Sequence, residues 1–401
     1  MANLLKYAQW HRFGVNSTGT LRTGTPSTFV TVPVLADGVN LAGSIETENL
    51  DTEHKDNGVR WSLLKNRNRE KGTVRCPLFP ENVYTLLNAS LALNANGNPD
   101  YYAWETWFAN AVDTATGKGR YGCLPDGFSL GFNRKDPNIL DFSLELFPNQ
   151  VLMKTSAAPS PTFPAQNPYD TKGVFCDFII ANTSNVLGAI SGDLKTLRQL
   201  SIQFGNNLDL DLHLPDPTGS LNMTWTDAMI GLRGLQFSGT LAASDIDHMT
   251  LPELAERRKL KIRLACVGGA PTGSTTSTAN VTAGATKTIA VASTTGFAVN
   301  DYVIIYQTTA NKFCVAKVTT VNVGVSLVVD TMDQAMDGSA GEALTIKNTA
   351  WEFTIPLGYV KSATDPVSDG NMRVVNFTGE ALLDPTQSAL YTLKGYNDDN
   401  T

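Results

Sequence analysis

The sequence predicts a mainly β fold: two related β-sandwich domains with one short helix each, and a small inserted β-domain. Three observations carry this reading. Apolar and polar residues alternate with period two through most of the chain, between clusters of Gly, Pro, Asn and Asp. A unit of strand, short link, Pro-Glu and helix occurs twice. A stretch rich in Thr, Ser, Ala, Val and Gly interrupts the second unit.

The clearest hairpin joins Phe128, Leu130 and Phe132 to Leu140, Phe142, Leu144 and Leu146, with Asn133, Asp136, Pro137 and Asn138 supplying the turn. Further oily faces come from Leu200, Ile202 and Phe204, and from Val375, Phe377, Gly379 and Ala381. One helix is expected after Pro80, where Val83, Leu86, Leu87 and Leu91 fall at helical spacing and Pro occupies an early helical position. A second is expected after Thr250, through Pro252, Leu254 and Ala255.

The repeat aligns Gly72, Thr73, Pro80 and Glu81 with Gly239, Thr240, Pro252 and Glu253. Upstream of each copy lies a long polar stretch, 46–71 and 208–232, read as an extended hairpin arm. At 401 residues the chain exceeds what one hydrophobic core usually fills. The expected division is residues 1–190 for the first domain, 191–268 with 349–401 for the second, and 269–348 for the insert. Short strands are expected in the insert at 288–291, 302–306, 315–321 and 325–329. Its flanks, 260–267 and 351–355, are expected to pair once it loops out.

Composition narrows the function. A formal net charge of -7 argues against tight nucleic-acid binding. No run of eighteen apolar residues occurs, and residues 1–14 lack the apolar core of a signal peptide, so neither a membrane span nor export is expected. Cys76, Cys123, Cys176, Cys266 and Cys314 are widely spaced and read as reduced, buried thiols.

No phosphate loop, dinucleotide fingerprint, nucleophile elbow or zinc-protease helix is present, and His11, His54, His213 and His248 fall in no metal or nucleophile pattern. No enzyme and no cofactor is therefore expected. Asp209, Asp211, His213 and Asp216 would share one strand face and suit a divalent cation. The leucines between them favour the plainer reading, the solvent face of an amphipathic strand. Tyr101, Tyr102, Trp104, Trp107 and Phe108 suit a sugar platform, a core or a subunit contact, with the last two preferred. Arg257, Arg258, Lys259, Lys261 and Arg263 read as a solvated face or a salt-bridge row. Large apolar side chains stand out on the polar arms: Val59, Trp61, Leu63 and Leu64 in the first, and Leu221, Met223, Trp225 and Met229 in the second. These eight are the expected self-assembly residues.

The order of elements resembles the tail tube (major tail) protein family of long-tailed bacteriophages in its duplicated form. The resemblance rests on Gly24, Thr25 and Pro26 before Val32, Pro33 and Val34; on the strand leading to Pro80, Glu81 and Asn82; and on Tyr121, Gly122 and Cys123 before the 128–146 hairpin. It continues through Leu200, Ser201 and Ile202 with Asn206 and Asn207, the 231–241 strand, Ile355 and Pro356, Val367 to Gly370, and the strand through Phe377 to Asp384, Pro385 and Thr386. It covers most of the chain outside the insert.

The resemblance implies two tail-tube-type sandwiches and a structural virion protein made in the host bacterial cytoplasm. Its subunits would form trimeric rings of pseudo-sixfold symmetry, stacked helically into a hollow siphovirus-type tube. Partners would be further copies of the chain, tape measure protein and DNA in the lumen, and tail terminator and distal tail proteins at the ends, with no membrane. The rival expectations are a head decoration or fibre protein, which needs no duplication, and a carbohydrate-binding sandwich or glycan-degrading enzyme, which needs an aromatic cleft.

Overall fold

A computed structural model describes residues 8–15, 28–35, 38–49, 63–93, 100–109, 116–134, 139–148, 150–154, 159–180, 197–209, 229–242, 259–268, 270–310, 312–339, 342–364, 367–369, 372–386, 388–397 and 399–400. Among them the fold is mainly β with one short α-helix, and its sheets are large and continuous.

The amino-terminal half supplies β1 (Ala8–Val15), β2 (Thr28–Val32), β3 (Val39–Asn49), β4 (Leu63–Arg75), α1 (Val83–Leu91) and β5 (Tyr102–Ala109). It continues with β6 (Thr116–Asn133), β7 (Asp141–Phe147), β8 (Gln150–Lys154) and β9 (Val174–Ile180). Next come β10 (Leu197–Gly205), β11 (Leu208–Asp209), β12 (Met229–Ile230), β13 (Gly234–Ala242) and β14 (Lys259–Val267). Eight short strands follow: β15 (Ser274–Ser277), β16 (Asn280–Val281), β17 (Gly284–Ala290), β18 (Tyr302–Gln307), β19 (Lys312–Asn322), β20 (Ser326–Met332), β21 (Met336–Asp337) and β22 (Leu344–Lys347). The chain closes with β23 (Ala350–Ala363), β24 (Val367–Asp369), β25 (Met372–Ala381), β26 (Thr392–Gly395) and β27 (Asp399–Asn400).

The pairing scheme occurs twice. In the first half the antiparallel order is β1-β5-β6-β7-β4-β3, with β8 beside the start of β6. In the second it is β9-β14-β23-β25-β13-β10, with β26 beside the start of β23. Even the irregularities recur: β6 slips against β7 between Pro125 and Gly127, and β23 against β25 between Val360 and Ser362. Aligned on these bulges, Gly72 and Thr73 correspond to Phe237 and Ser238. The alignment on Gly239 and Thr240 is thus two residues out of register, a shift that keeps every side chain on its face because strands repeat every two residues.

Strand β10 joins the halves by pairing with β6, Gly205 opposite Gly127 through Gln199 opposite Asn133. The result is one antiparallel sheet, β3-β4-β7-β6-β10-β13-β25-β23. Its inner face carries the alternating residues of the sequence, and Phe128, Leu130, Phe142, Leu144, Ile202, Phe204, Phe237 and Phe377 all lie in a core shared by both halves. The helix seats Val83, Leu86, Leu87 and Leu91 in that core. Pro80 lies in the turn before the helix, upstream of Asn82, rather than within its first turn. Asn82 accepts a hydrogen bond from Phe79 N at 2.7 Å, and Glu81 Oε1 accepts from Ala165 N and Gln166 N. The helix expected after Thr250 lies outside the described residues.

Between β14 and β23, strands β15-β22-β18-β19-β20-β17 form a separate six-stranded sheet over their own apolar cluster. Leu264 and Phe353 lie opposite each other across its stem. A second cluster joins this unit to the rest: Tyr302, Ile304, Phe313 and Val315 pack on Ala265, Val267 and Ala350. Phe175 meets Tyr306 at 4.8 Å and Phe313 at 5.7 Å between ring centroids. This seat has a counterpart in the first half, where Trp10 and Trp107 hold the equivalent positions and stack on each other at 6.0 Å. Bulky Trp107 covers its own sheet, whereas Ala265 leaves a space that the six-stranded unit fills.

Phe313→Ala removes a nearly fully buried ring from this seat and is expected to cost about 3 kcal/mol. No tryptophan lies between residues 270 and 348, so the midpoint of a tryptophan-fluorescence melt is expected to fall with the substitution. An unchanged midpoint would show that the two units melt independently.

Candidate functional site

The outer face of the eight-stranded sheet is a large surface built by both halves. Backbone register sets its side chains in rows across the strands. One runs Ser143, Ser129, Gln203, Gln236 and Glu380; another Asp141, Gly131, Ser201, Ser238, Thr378 and Ser362; a third Asn133, Gln199, Thr240 and Asn376. Hydroxyls and amides dominate, and they bond along the rows. Ser129 and Ser143 hydroxyls lie 2.8 Å apart, Thr240 Oγ1 donates to Asn376 Oδ1 at 2.8 Å, and Ser362 and Thr378 hydroxyls are 2.6 Å apart.

Among the side chains described on this face, the charged ones include Arg75, Asp141, Glu145, Lys361 and Glu380. Arg75 pairs with Asp141 at 2.8 Å, and Glu380 accepts from Lys361, Gln236 and Tyr359. Those hydrogen bonds, that of Lys361 first, hold the Glu380 carboxyl below its ordinary range. Such a wall presents donors and acceptors to water but little net field to a polyanion. Glycines keep it flat where strands approach closely: a Cβ on Gly127 would fall 2.0 Å from Phe204 O.

Both ends of this sheet carry unpaired strand edges among the described residues. At one end β3 pairs only with β4. At the other, β14 stops pairing with β23 at Tyr359, leaving the edge beyond Val360 open. The bulge alignment makes that edge the counterpart of the part of β6 that β10 occupies, and makes β3 the counterpart of β10. Chain segments of the type that meet inside the molecule are therefore also left open at its two ends.

Behind the sheet lies a buried charged layer. Arg263, 1% exposed, bonds Asp177 at 3.2 Å, Asp333 of the six-stranded unit at 2.7 Å and Glu352 at 2.8 Å. Its counterpart is Glu105, which accepts from Arg12 at 2.5 Å and from Trp107 Nε1 at 2.9 Å. The register equates Arg12 with Asp177 and Glu105 with Arg263, so the ion pair recurs with its charges exchanged. Burial works to raise the Glu352 carboxyl, but Arg263 and Lys394 outweigh it and hold it at about 2. Asp177 is driven the other way, to about 7, by burial, with Glu352 and Asp333 adding to the push and Arg263 only partly offsetting it. His11, buried near Arg120, is lowered to about 4 and is thus neutral at pH 7.

Of the expected assembly residues, Leu63 and Leu64 open β4 opposite Asn49 and Glu48, and Met229 in β12 lies opposite Asp209. These positions are the bases of two hairpins. Val59, Trp61, Leu221, Met223 and Trp225 lie outside the described residues, as do Asp211, His213 and Asp216. Of the aromatic cluster, Tyr102, Trp104 and Trp107 are buried, the first two in the main core, and Tyr101 is half-buried, while the Phe108 side chain lies outside the described residues. All five cysteines are free and buried, and burial pushes the Cys76 thiol up to about 12. Of the basic run, Arg263 is in a buried salt-bridge network and Lys259 is exposed. Among the described residues no cluster of His, Cys, Asp and Glu suits a metal ion, and no helix is long and apolar enough to cross a membrane. In comparison with known proteins, no family model matches the chain and no curated protein matches it.

Asp177 takes up its proton on folding at pH values between its ordinary 3.8 and about 7. Its contribution to stability is complete below that range and is lost as pH rises through it. Asp177→Asn is expected to stabilise the chain at pH 8 by on the order of 3 kcal/mol while changing little at pH 4. Thermal melts of both proteins at the two pH values check this, and an equal shift at both would refute the assignment.

Proposed function

We propose that the chain is a structural subunit of a hollow tube, the tail tube of a long-tailed phage, built from two related sandwich units that act as successive segments of a ring. The observation that carries the reading is the repeated pairing scheme with its internal joint: β10 of the second unit pairs with β6 of the first. If the same joint forms between molecules, β3 of one copy pairs with the open edge of β23 in the next, and a head-to-tail ring closes with every edge satisfied.

Three copies give six segments and pseudo-sixfold symmetry. The neutral polar face then lines the lumen, where DNA and a tape measure protein pass without being gripped. A basic lining would bind the phosphate backbone through counterion release and impede passage. The six-stranded unit, seated on the opposite layer, faces outward, and terminator and distal tail proteins complete the tube at its ends. Residues 1–190 form the first segment, and 191–268 with 349–401 the second. Ring-to-ring stacking falls to the two arms, whose bases are β3–β4 and β11–β12. No part of this function calls for catalysis, a cofactor or a membrane.

In the proposed ring Ser44 lies opposite Ser362 of the neighbouring copy, by analogy with Gly205 opposite Gly127 within the chain. Ser44→Cys with Ser362→Cys is expected to give a disulfide ladder ending at a closed trimer on non-reducing gels. The native cysteines are buried, so each single variant should give none. Absence of the ladder in tubes seen by negative-stain electron microscopy would reject the pairing, and absence of tubes at any concentration would count against the reading itself. For stacking, replacing Trp61 and Trp225 together by Ala should leave soluble subunits or rings that do not elongate. Normal-length tubes from that double variant would remove the arms from the stacking contact.

A further inference from the structure

On the outer layer of the second half lies a cavity of about 800 Å³ whose lining includes Lys261, Arg263, Lys394 and Arg233, against the two carboxylates of Asp333 and Glu352. The equivalent place in the first half is differently filled. There Tyr121, which the register equates with Pro356, sends its hydroxyl to Glu105 and fills the space over Gly119. Proline cannot reach across, so the second half keeps a hollow over Thr354, floored by charge.

The carboxylates are already committed. Asp333 and Glu352 both bond Arg263, and Glu352 also lies 3.7 Å from Lys394. Arg233 donates to Asn206 Oδ1 and to the carbonyl oxygens of Ser90 and Leu91. Lys261 differs: it lines the cavity, is only half-buried, and makes no hydrogen bond or ion pair among the described residues. Burial, then Arg263, disfavour its charge, and Glu352 and Asp333 offset them only in part, a situation an added anion would relieve. Thr354 donates its hydroxyl to Glu352 at 3.0 Å, whereas the hydroxyls of Ser388 and Thr392 line the same cavity and can donate to oxygen.

We propose that this cavity is a binding site for a small phosphate-bearing anion, with Lys261 and Lys394 supplying its charge contacts and the Ser388 and Thr392 hydroxyls its hydrogen bonds. Ammonium groups serve as point charges for phosphate without requiring a fixed planar geometry. The site stands apart from the polar sheet face and does not depend on ring formation.

Inorganic pyrophosphate titrated calorimetrically into the full-length protein at low salt tests it. Saturable binding is expected, weakened at least tenfold by Lys261→Met and retained by Lys261→Arg, with unliganded melting temperatures of the variants measured alongside. Should Lys261→Met fail to fold, Leu383→Asp gives a second route. Leu383 is 62% exposed at the cavity, so folding should tolerate a carboxylate there, and pyrophosphate binding should drop by a similar factor. Failure of the unmodified protein to bind overturns the proposal, as does binding that survives either Lys261→Met or Leu383→Asp unchanged.

Discussion

Seven consecutive positions of β10 run along β6, from Gln199 opposite Asn133 to Gly205 opposite Gly127, and this pairing fuses two half-sheets into one. Almost every larger feature follows from it. It places Phe128, Phe204 and Phe353 within reach of one another, Phe128 and Phe204 near-parallel at 5.7 Å and Phe353 edge-on to Phe128 at 6.1 Å, so the halves share a core. Gly127 permits it, since a side chain there would strike the Phe204 carbonyl. Among the described residues the same pairing leaves one unmatched edge of each type, and natural sheets seldom leave such edges unprotected unless something pairs with them. The proposed ring is the arrangement in which the intramolecular joint is reused between copies.

The two faces of that sheet answer different physical demands. The inner one buries aromatic and aliphatic side chains at alternate positions, the main favourable term in holding the chain together. The outer one carries Ser, Thr, Gln and Asn, which satisfy one another along rows and leave little net charge. Strong charges sit in the layer behind, in the Arg12–Glu105 and Arg263–Asp177 pairs. Buried ion pairs of this kind contribute less to net stability than to fixing which groups meet, because desolvation offsets much of their attraction. Here they pin β1 to β5 and β9 to β14, the strands that cap each half.

Period-two patterning made the main sheet legible, because side chains with one wet face and one dry face must alternate: the apolar members of 128–132, 140–146, 200–204 and 375–377 face the core. The helix was legible from Val83, Leu86, Leu87 and Leu91, and its start was misplaced because Pro80 sits in the preceding turn. The duplication was visible only as a marker, Gly-Thr before Pro-Glu, and that marker was two residues out of register. Pairing partners 66 to 144 residues apart leave no local trace, whereas bulges at 125–127 and 360–362 reveal the correspondence once strands are in place. The polar face was harder still. Isolated Ser, Gln and Thr residues look like ordinary solvent-exposed positions until register aligns them in rows. The charge-swapped pair was illegible for a related reason: Arg263 read as one member of a basic run, and only its neighbours Asp177, Asp333 and Glu352 make it an anchor.

The two halves depart from their common scheme in one direction. In the first, Trp10, Trp107 and Tyr121 are large and close their own outer layer. In the second, Phe175, Ala265 and Pro356 hold the equivalent positions, and the layer is unfinished without the six-stranded unit packed on it. Substituting a small residue for Trp at the position of Ala265 removes the self-cover and creates a seat. Replacing the Tyr121 hydroxyl by proline removes the plug and creates a hollow lined by cations. Asp333 then crosses from the seated unit to Arg263, so the unit contributes to the charged layer as well as covering it. These differences between the halves lie in the outer layer, while the sheet joined through β6 and β10 retains the register and bulges that a repeating ring would require.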